Sequence, residues 1–317
     1  MSLPIPRTEL VYGVDKKSKK SLKIGTGTEF RPNQWNGNIF QKWLITTLEQ
    51  YGGISKNSDL MSALTGSNLA MALWKRSVTS PLIDESNNYD YAEKFGDTAL
   101  QMAASDFLAA PETKQSTAVY HELSKTMTTN AVLAIISKKI GLITFYQGDQ
   151  INEKIAGDLF EAFIGTIYIV LKVLPNTYKS TYAMFSTQLT FNIIKSIYPK
   201  FFNINYTKHY YQSPTSFLDE IVFASNKGDY YTDKFKVNND GSVIGKILDQ
   251  FVKIAGPNTA TTQEERKSIG AITTLLKLKQ YDENARYWLD IHGITDLTNL
   301  SEVALLHRTF EEVDNGE

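Results

Sequence analysis

Five carboxylates in two stretches have the types and the spacing to hold a metal ion. In NYDYAEKFGDTALQMAASDFL, residues 88–108, Asp90, Glu93 and Asp97 recur at i, i+3 and i+7. On an α-helix those positions stack over successive turns of one face. In EKIAGDLFEAFIGTIYIVLK, residues 153–172, Asp158 and Glu161 repeat the i, i+3 spacing inside an otherwise apolar run. Acids on one stripe repel one another, and acids within an apolar helix are costly unless paired or metal-bound. If the two helices pack antiparallel, Glu93, Asp97, Asp158 and Glu161 converge. An all-oxygen set of that kind suits Mg²⁺, with Mn²⁺ as the alternative, rather than zinc. A cation so held acidifies a water for attack on a phosphodiester and stabilises the leaving oxygen. Spacing alone admits a second account equally well: two acidic faces, solvated or salt-bridged to Lys94 and Lys154.

Other elements must hold these two helices together. On the first, Phe95, Ala99, Leu100, Ala103, Phe107 and Leu108 form the apolar side. On the second, the small Ala162 and Gly165 let a partner helix come close. Apolar periodicity predicts further helices over residues 39–51, closed by Gly52-Gly53, and over 59–75. Residues 121–142 read as one long helix or two joined ones, with Gly141 as the stop. Another helix is expected over 176–197, ended by Pro199. From about residue 206 the character changes. Ser213-Pro214 opens a short helix, residues 230–237 alternate as a strand does, and Asn238-Asn239-Asp240-Gly241 is a hairpin turn signal. One or two further strands over 243–255 and a helix over 263–281 follow.

The expected organisation is mainly α. A helical domain covers 35–203 and a small α+β module, ordered α-β-β-β-α, covers 204–285. An irregular basic arm, residues 1–34 with the run DKKSKKSLK, precedes them, and a tail, 286–317, follows; after residue 281 the chain reads as helix and loop with a frayed acidic end.

Composition removes whole classes of chemistry. With 317 residues and 42% hydrophobic content the chain can bury a sizeable core. The absence of cysteine excludes disulfides, zinc–thiolate sites and thiol nucleophiles. His121, His209, His292 and His307 lack ligand-type spacing. A net charge of −1 excludes a generally basic nucleic-acid binder but not a local basic groove. GTGTEF, residues 25–30, lacks the Lys-Ser/Thr ending of a phosphate loop. No apolar run reaches the roughly 20 residues needed to span a bilayer, and MSLPIPRTEL lacks the layout of a secretory signal. A soluble, intracellular protein is expected, with no membrane partner.

Four segments in order resemble the ribonuclease III family. NYDYAEKFGDTAL, residues 88–100, is similar to the family's N-E-R-L-E-F-L-G-D-A-V-L helix, with Asp90, Glu93 and Asp97 on its three acids. LWKRSVTS, residues 73–80, looks like A-L-T-H-x-S, with Ser80 where His is usual. LSKTMTTNAVLAIISKKIGL resembles the V-S-N-x-x-L-A helix. KIAGDLFEAFIGTIYI resembles K-x-x-A-D-x-x-E-A-L-I-G-A-I-Y-L, so Lys154, Asp158 and Glu161 fall on the family's functional Lys, Asp and Glu. The likeness covers roughly residues 73–174. It departs at Asp90, where Glu is usual and the reach is one methylene shorter, and at Tyr89, Tyr91 and Lys94, which stand for Asn, Arg and Phe.

The resemblance implies an all-helical RNase III-type endonuclease domain that cuts double-stranded RNA as a homodimer and leaves short 3′ overhangs. Glu93, Asp97, Asp158 and Glu161 would hold the metal. Asp97, Glu161 and Lys154 would be the catalytic groups, and Asp90 a substrate or dimer contact. The C-terminal module is similar to a double-stranded-RNA-binding domain: Pro214, Leu218 and Glu220 fit its first helix. The expected K-K-x-x-K cluster falls on Gln263, Glu264 and Lys267, so Lys267 keeps one of three phosphate contacts. The alternative is a noncatalytic scaffold or duplex-RNA binder of the same fold in an RNA-processing or ribosomal assembly.

Overall fold

One helix organises the first part of the chain. In the computed structural model, which describes residues 35–109, 116–173, 180–224, 236–237, 243–247, 250–255, 263–280, 282–296 and 310–313, the segment with the most complete burial is α7 (Glu153–Val173). It is apolar on nearly every side and buried from Ile155 through Ile167, as an all-round hydrophobic helix must be. Leu159, Phe160, Phe163, Ile164, Ile167, Val170 and Leu171 are all at most 1% exposed. At roughly 2 kcal/mol each, their burial outweighs the several kcal/mol that each buried carboxylate costs. The helix can therefore carry Asp158 and Glu161 inward.

The chain folds as two units: Met1–Lys114, Ser124–Ile204 and Phe310–Glu317 form one, Gln115–Leu123 and Asn205–Thr309 the other. The first unit begins with α1 (Gly37–Gly52), α2 (Asp59–Thr65) and α3 (Asn68–Arg76). Gly53, at φ 69°, closes α1 in the left-handed conformation that glycine adopts without strain. The single helix expected over 59–75 is divided at Gly66-Ser67, because the Ser67 hydroxyl accepts from Ala70 N and starts a new helix. Phe40, Trp43, Trp74, Phe145 and Phe163 form a ring cluster at centroid distances of 5.0 to 6.2 Å. The N-terminal helices thus belong to the same core as α7.

Next come α4 (Asp90–Leu108), α5 (Thr117–Met127), α6 (Asn130–Lys139), a 3₁₀ turn (Leu142–Phe145), α7 and α8 (Tyr182–Phe201). Residues 121–142 are two helices, parted where the Thr129 hydroxyl bonds back to Thr126 O, and Gly141 at φ 76° provides the stop. The start expected for α8 at 176 lies outside the described residues. Pro199 does not end α8, which runs on to Phe201. The carbonyl it leaves without a donor belongs to Lys195, on the solvent face, where water can replace the lost bond. Phe95, expected on the buried side of α4, is 37% exposed. The side of α4 that packs is built of Ala92, Gly96, Ala99, Leu100, Ala103, Ala104 and Leu108.

After the short strand β1 (Phe202–Asn203), the second unit holds α9 (Pro214–Ala224), an antiparallel meander of β2 (Lys236–Val237), β3 (Val243–Ile247) and β4 (Gln250–Ala255), then α10 (Gln263–Leu278) and α11 (Glu283–Ile291). Residues 230–235 and the turn at 238–241 lie outside the described residues, as does the basic arm 1–34. Phe217, Leu218, Ile272, Leu275, Trp288 and Leu289 share its core. The helix expected in the tail after residue 281 is α11, which is amphipathic and packs into this core: its Trp288 stacks on Phe217 at 5.7 Å. Of the acidic end, residues 314–317 lie outside the described residues, and the part before them is ordered. Strand β5 (Glu311–Glu312) returns to the first unit and pairs antiparallel with β1, next to the buried Phe310. Lys139 Nζ meets Glu312 Oε2 at 2.9 Å. Among the described residues no helix is long and apolar enough to cross a membrane.

Candidate metal centre

Two glycines decide how close α4 and α7 come. A Cβ on Gly96 would fall on the carbonyl oxygen of Glu161, and a Cβ on Gly165 would fall on that of Ala92. The pairing of 96 with 161 and of 92 with 165 makes the helices antiparallel. Backbone lies on backbone at this crossing, so the longer side chains of both helices leave along its edge. Glu93 leaves α4 there, and Asp158 and Glu161 leave α7.

The three carboxylates meet. Glu93, Asp158 and Glu161 each offer an oxygen, and these oxygens lie within 4.8 Å of one another. Asp158 is 5% exposed and Glu161 7%, while Glu93 is half-buried. Lys154, one turn before Asp158, donates to both of its oxygens, at 2.8 and 2.6 Å. That turn is fixed by Asn152, which is buried and caps α7 by accepting from Ile155 N at 2.8 Å.

The electrostatics follow from the crowding. Burial, then the charges of Asp158, Asp97 and Glu93, push the Glu161 carboxyl up to about 8, against which Lys154 works only in part. Burial and Asp158 also raise Glu93 above the usual carboxylate range. Burial disfavours the Lys154 charge, but the hydrogen bond and charge of Asp158, aided by Glu93 and Glu161, outweigh it and raise that amine as well. Negative charge here exceeds what Lys154 neutralises. A second positive charge, held by hard oxygen donors, fits the site.

The other expected residues fall as follows. Asp97 lies outside the converged trio, although its charge reaches Glu161. Its Oδ1 accepts from Gln101 Nε2 at 2.9 Å. Asp97 is half-buried one turn beyond Glu93, at the rim of the trio. Asp90 is exposed at the first position of α4, where its N–H donates to Asn88 Oδ1 at 3.0 Å. Asn88 also donates to Asp84 O and Glu85 O, which ties the preceding loop to the start of α4. Lys267 lies on α10, in the second unit. Gln101 was not among the expected site residues, although an amide four residues after a carboxylate on a helix is a recognisable pair.

Among the described residues, His121, His209 and His292 take no part in the trio. His209 is buried in the second unit, at 3.2 Å from Glu122 and against Phe217. The ring of His292 stacks on Trp288.

No family model and no curated protein matches the chain. Solved structures do match. One of them is the nuclease domain of ribonuclease III from Campylobacter jejuni, whose region of dimer formation is described as flexible. It is 19% identical, covers 44% of this chain and 96% of that domain, and has a TM-score of 0.35.

Proposed function

We propose that the chain is a divalent-cation-dependent endoribonuclease of ribonuclease III type that hydrolyses double-stranded RNA as a homodimer. The convergence of Glu93, Asp158 and Glu161 around a Lys154-braced turn supports this reading. The donor set consists of carboxylate oxygens, which favours Mg²⁺, or Mn²⁺, over softer metals. Glu93, Asp158 and Glu161 would hold the ion, with Asp97 at their rim. A cation bound there supplies Lewis acidity to water and to the leaving oxygen.

The chain's own groups do the rest. Lys154 holds Asp158 in one rotamer and presents its charge beside the place a phosphate must occupy. Glu161, whose proton leaves only near the upper end of the neutral range, becomes a full ligand as pH rises. Exposed Tyr91, Phe95 and Val173 make an apolar surface on α4 and α7. It fits self-association, which would set two trios against one duplex. The second unit would add a phosphate contact through Lys267.

Labelled duplex RNA with Mg²⁺ tests the reading. The parent chain is expected to cleave, Glu161→Gln and Asp158→Asn to bind without cleaving, and Lys154→Met to cleave more slowly. The enzyme reading fails if the parent does not cleave, or if Glu161→Gln matches it. A parent that shifts the duplex without cutting it is a binder.

A further inference from the structure

We infer that Gln101 is a positioning residue for the candidate cation site, one that pins Asp97 at its rim; the inference rests on the cation reading above. Three carboxylates converge, and Asp97, the fourth acid expected to hold metal, lies outside them. Asp97 follows Glu93 by one turn and would otherwise be free to rotate toward solvent, away from the like charges of the trio. Its Oδ1 accepts a hydrogen bond from Gln101 Nε2, at 2.9 Å. Gln101 is exposed, so nothing in the packing of α4 calls for its side chain. Its amide supplies the donor without supplying a charge. A lysine there would neutralise Asp97 and compete with a cation, and a glutamate would drive Asp97 away. With Oδ1 engaged, Oδ2 remains for the cation or for one of its waters, since Mg²⁺ keeps part of its hydration shell. Asp97 then acts from outside the trio and needs a fixed orientation to do so, as partners behind a ligand shell do.

A double-mutant cycle on the full chain, read by Mn²⁺ uptake rather than by cleavage, tests this. Gln101→Met keeps length and helix propensity but removes the donor. It is expected to weaken Mn²⁺ binding by about tenfold, the low end for partners behind a metal ligand because the bond is exposed. The thermal midpoint of the cation-free chain should not move. In an Asp97→Asn background the same substitution should have no further effect, whereas Gln101→Asn alone should show a loss smaller than that of Gln101→Met. Parent-like affinity in Gln101→Met overturns the inference, as does an equal loss with and without Asp97. A parent that takes up no Mn²⁺ at all overturns the cation reading first and this inference with it, so the two failures are distinguishable.

Discussion

Glu161 is the residue at which stability and cation chemistry oppose each other. With its carboxyl pushed up to about 8, the folded chain holds that proton more tightly than the unfolded chain, where a glutamate titrates near about 4.3. The contribution to stability is complete below about pH 4.3, declines as pH rises, and is gone above about 8. Glu93 shifts in the same direction. Urea midpoints of the cation-free chain should therefore fall between about pH 5 and about pH 9. Mg²⁺ should restore them at the alkaline end, where protons no longer compete for the carboxylates. A flat profile, or an equal fall with Mg²⁺ present, contradicts the assignment. Glu161→Gln removes the repulsion at almost constant volume. It should stabilise the cation-free chain at alkaline pH by about 1–3 kcal/mol and abolish the response to Mg²⁺, both readable from the same unfolding curves.

Between elements, the antiparallel contact of α4 and α7 sets the site, and glycine permits it. Gly96→Ala and Gly165→Ala each place a methyl on a backbone carbonyl that cannot rotate away. Each should cost about 3 kcal/mol or more, because the helices must part. Gly157→Ala meets the side-chain oxygen and the backbone of Asn130 at 3.0 to 3.2 Å, a tight contact without the overlap at the other two positions, so its loss should be smaller than theirs. Denaturant unfolding of the three variants checks the order, and a Gly96→Ala variant as stable as the parent would mean the contact is not close. Part of this element was legible in the chain: the smallness of Ala162 and Gly165 beside two acids announced a close partner. The exposure of Phe95 was not, because it depends on which part of α4 meets α7. The division of residues 59–75 into two helices was not read either, because a local Ser67 cap competes with the periodicity across it.

For the molecule as a whole, the proposed dimer is the consequence most open to measurement. Tyr91 and Phe95 are 52% and 37% exposed, and their rings lie 5.6 Å apart on α4. Their joint replacement by aspartate should leave the thermal midpoint nearly unchanged, since neither ring is in the core. It should shift sedimentation from dimer to monomer and reduce duplex cleavage with it. A parent that sediments as a monomer at micromolar concentration removes the dimer from the proposal. The second unit has its own core of α9, α10 and α11 with a three-stranded meander beside them. The part proposed for it in RNA binding would rest on a depleted basic cluster, of which Lys267 remains, with Arg266 beside it. The slope of affinity against salt is accordingly expected to be shallow.

The sequence by itself determined the chemistry available: oxygen ligands without thiols, two acidic helices, a change of architecture near residue 206, and the order α-β-β-β-α after it. Residue type and periodicity are local properties, and they need no partner to be read. Tertiary structure alone decided which acids meet. Glu93, Asp158 and Glu161 converge, while Asp97 stops at the rim with Gln101 and Asp90 faces solvent. It also returned β5 to β1 and drew α11 into a core. Such outcomes depend on where backbones approach one another, and that distance is fixed by contacts between residues far apart in the chain.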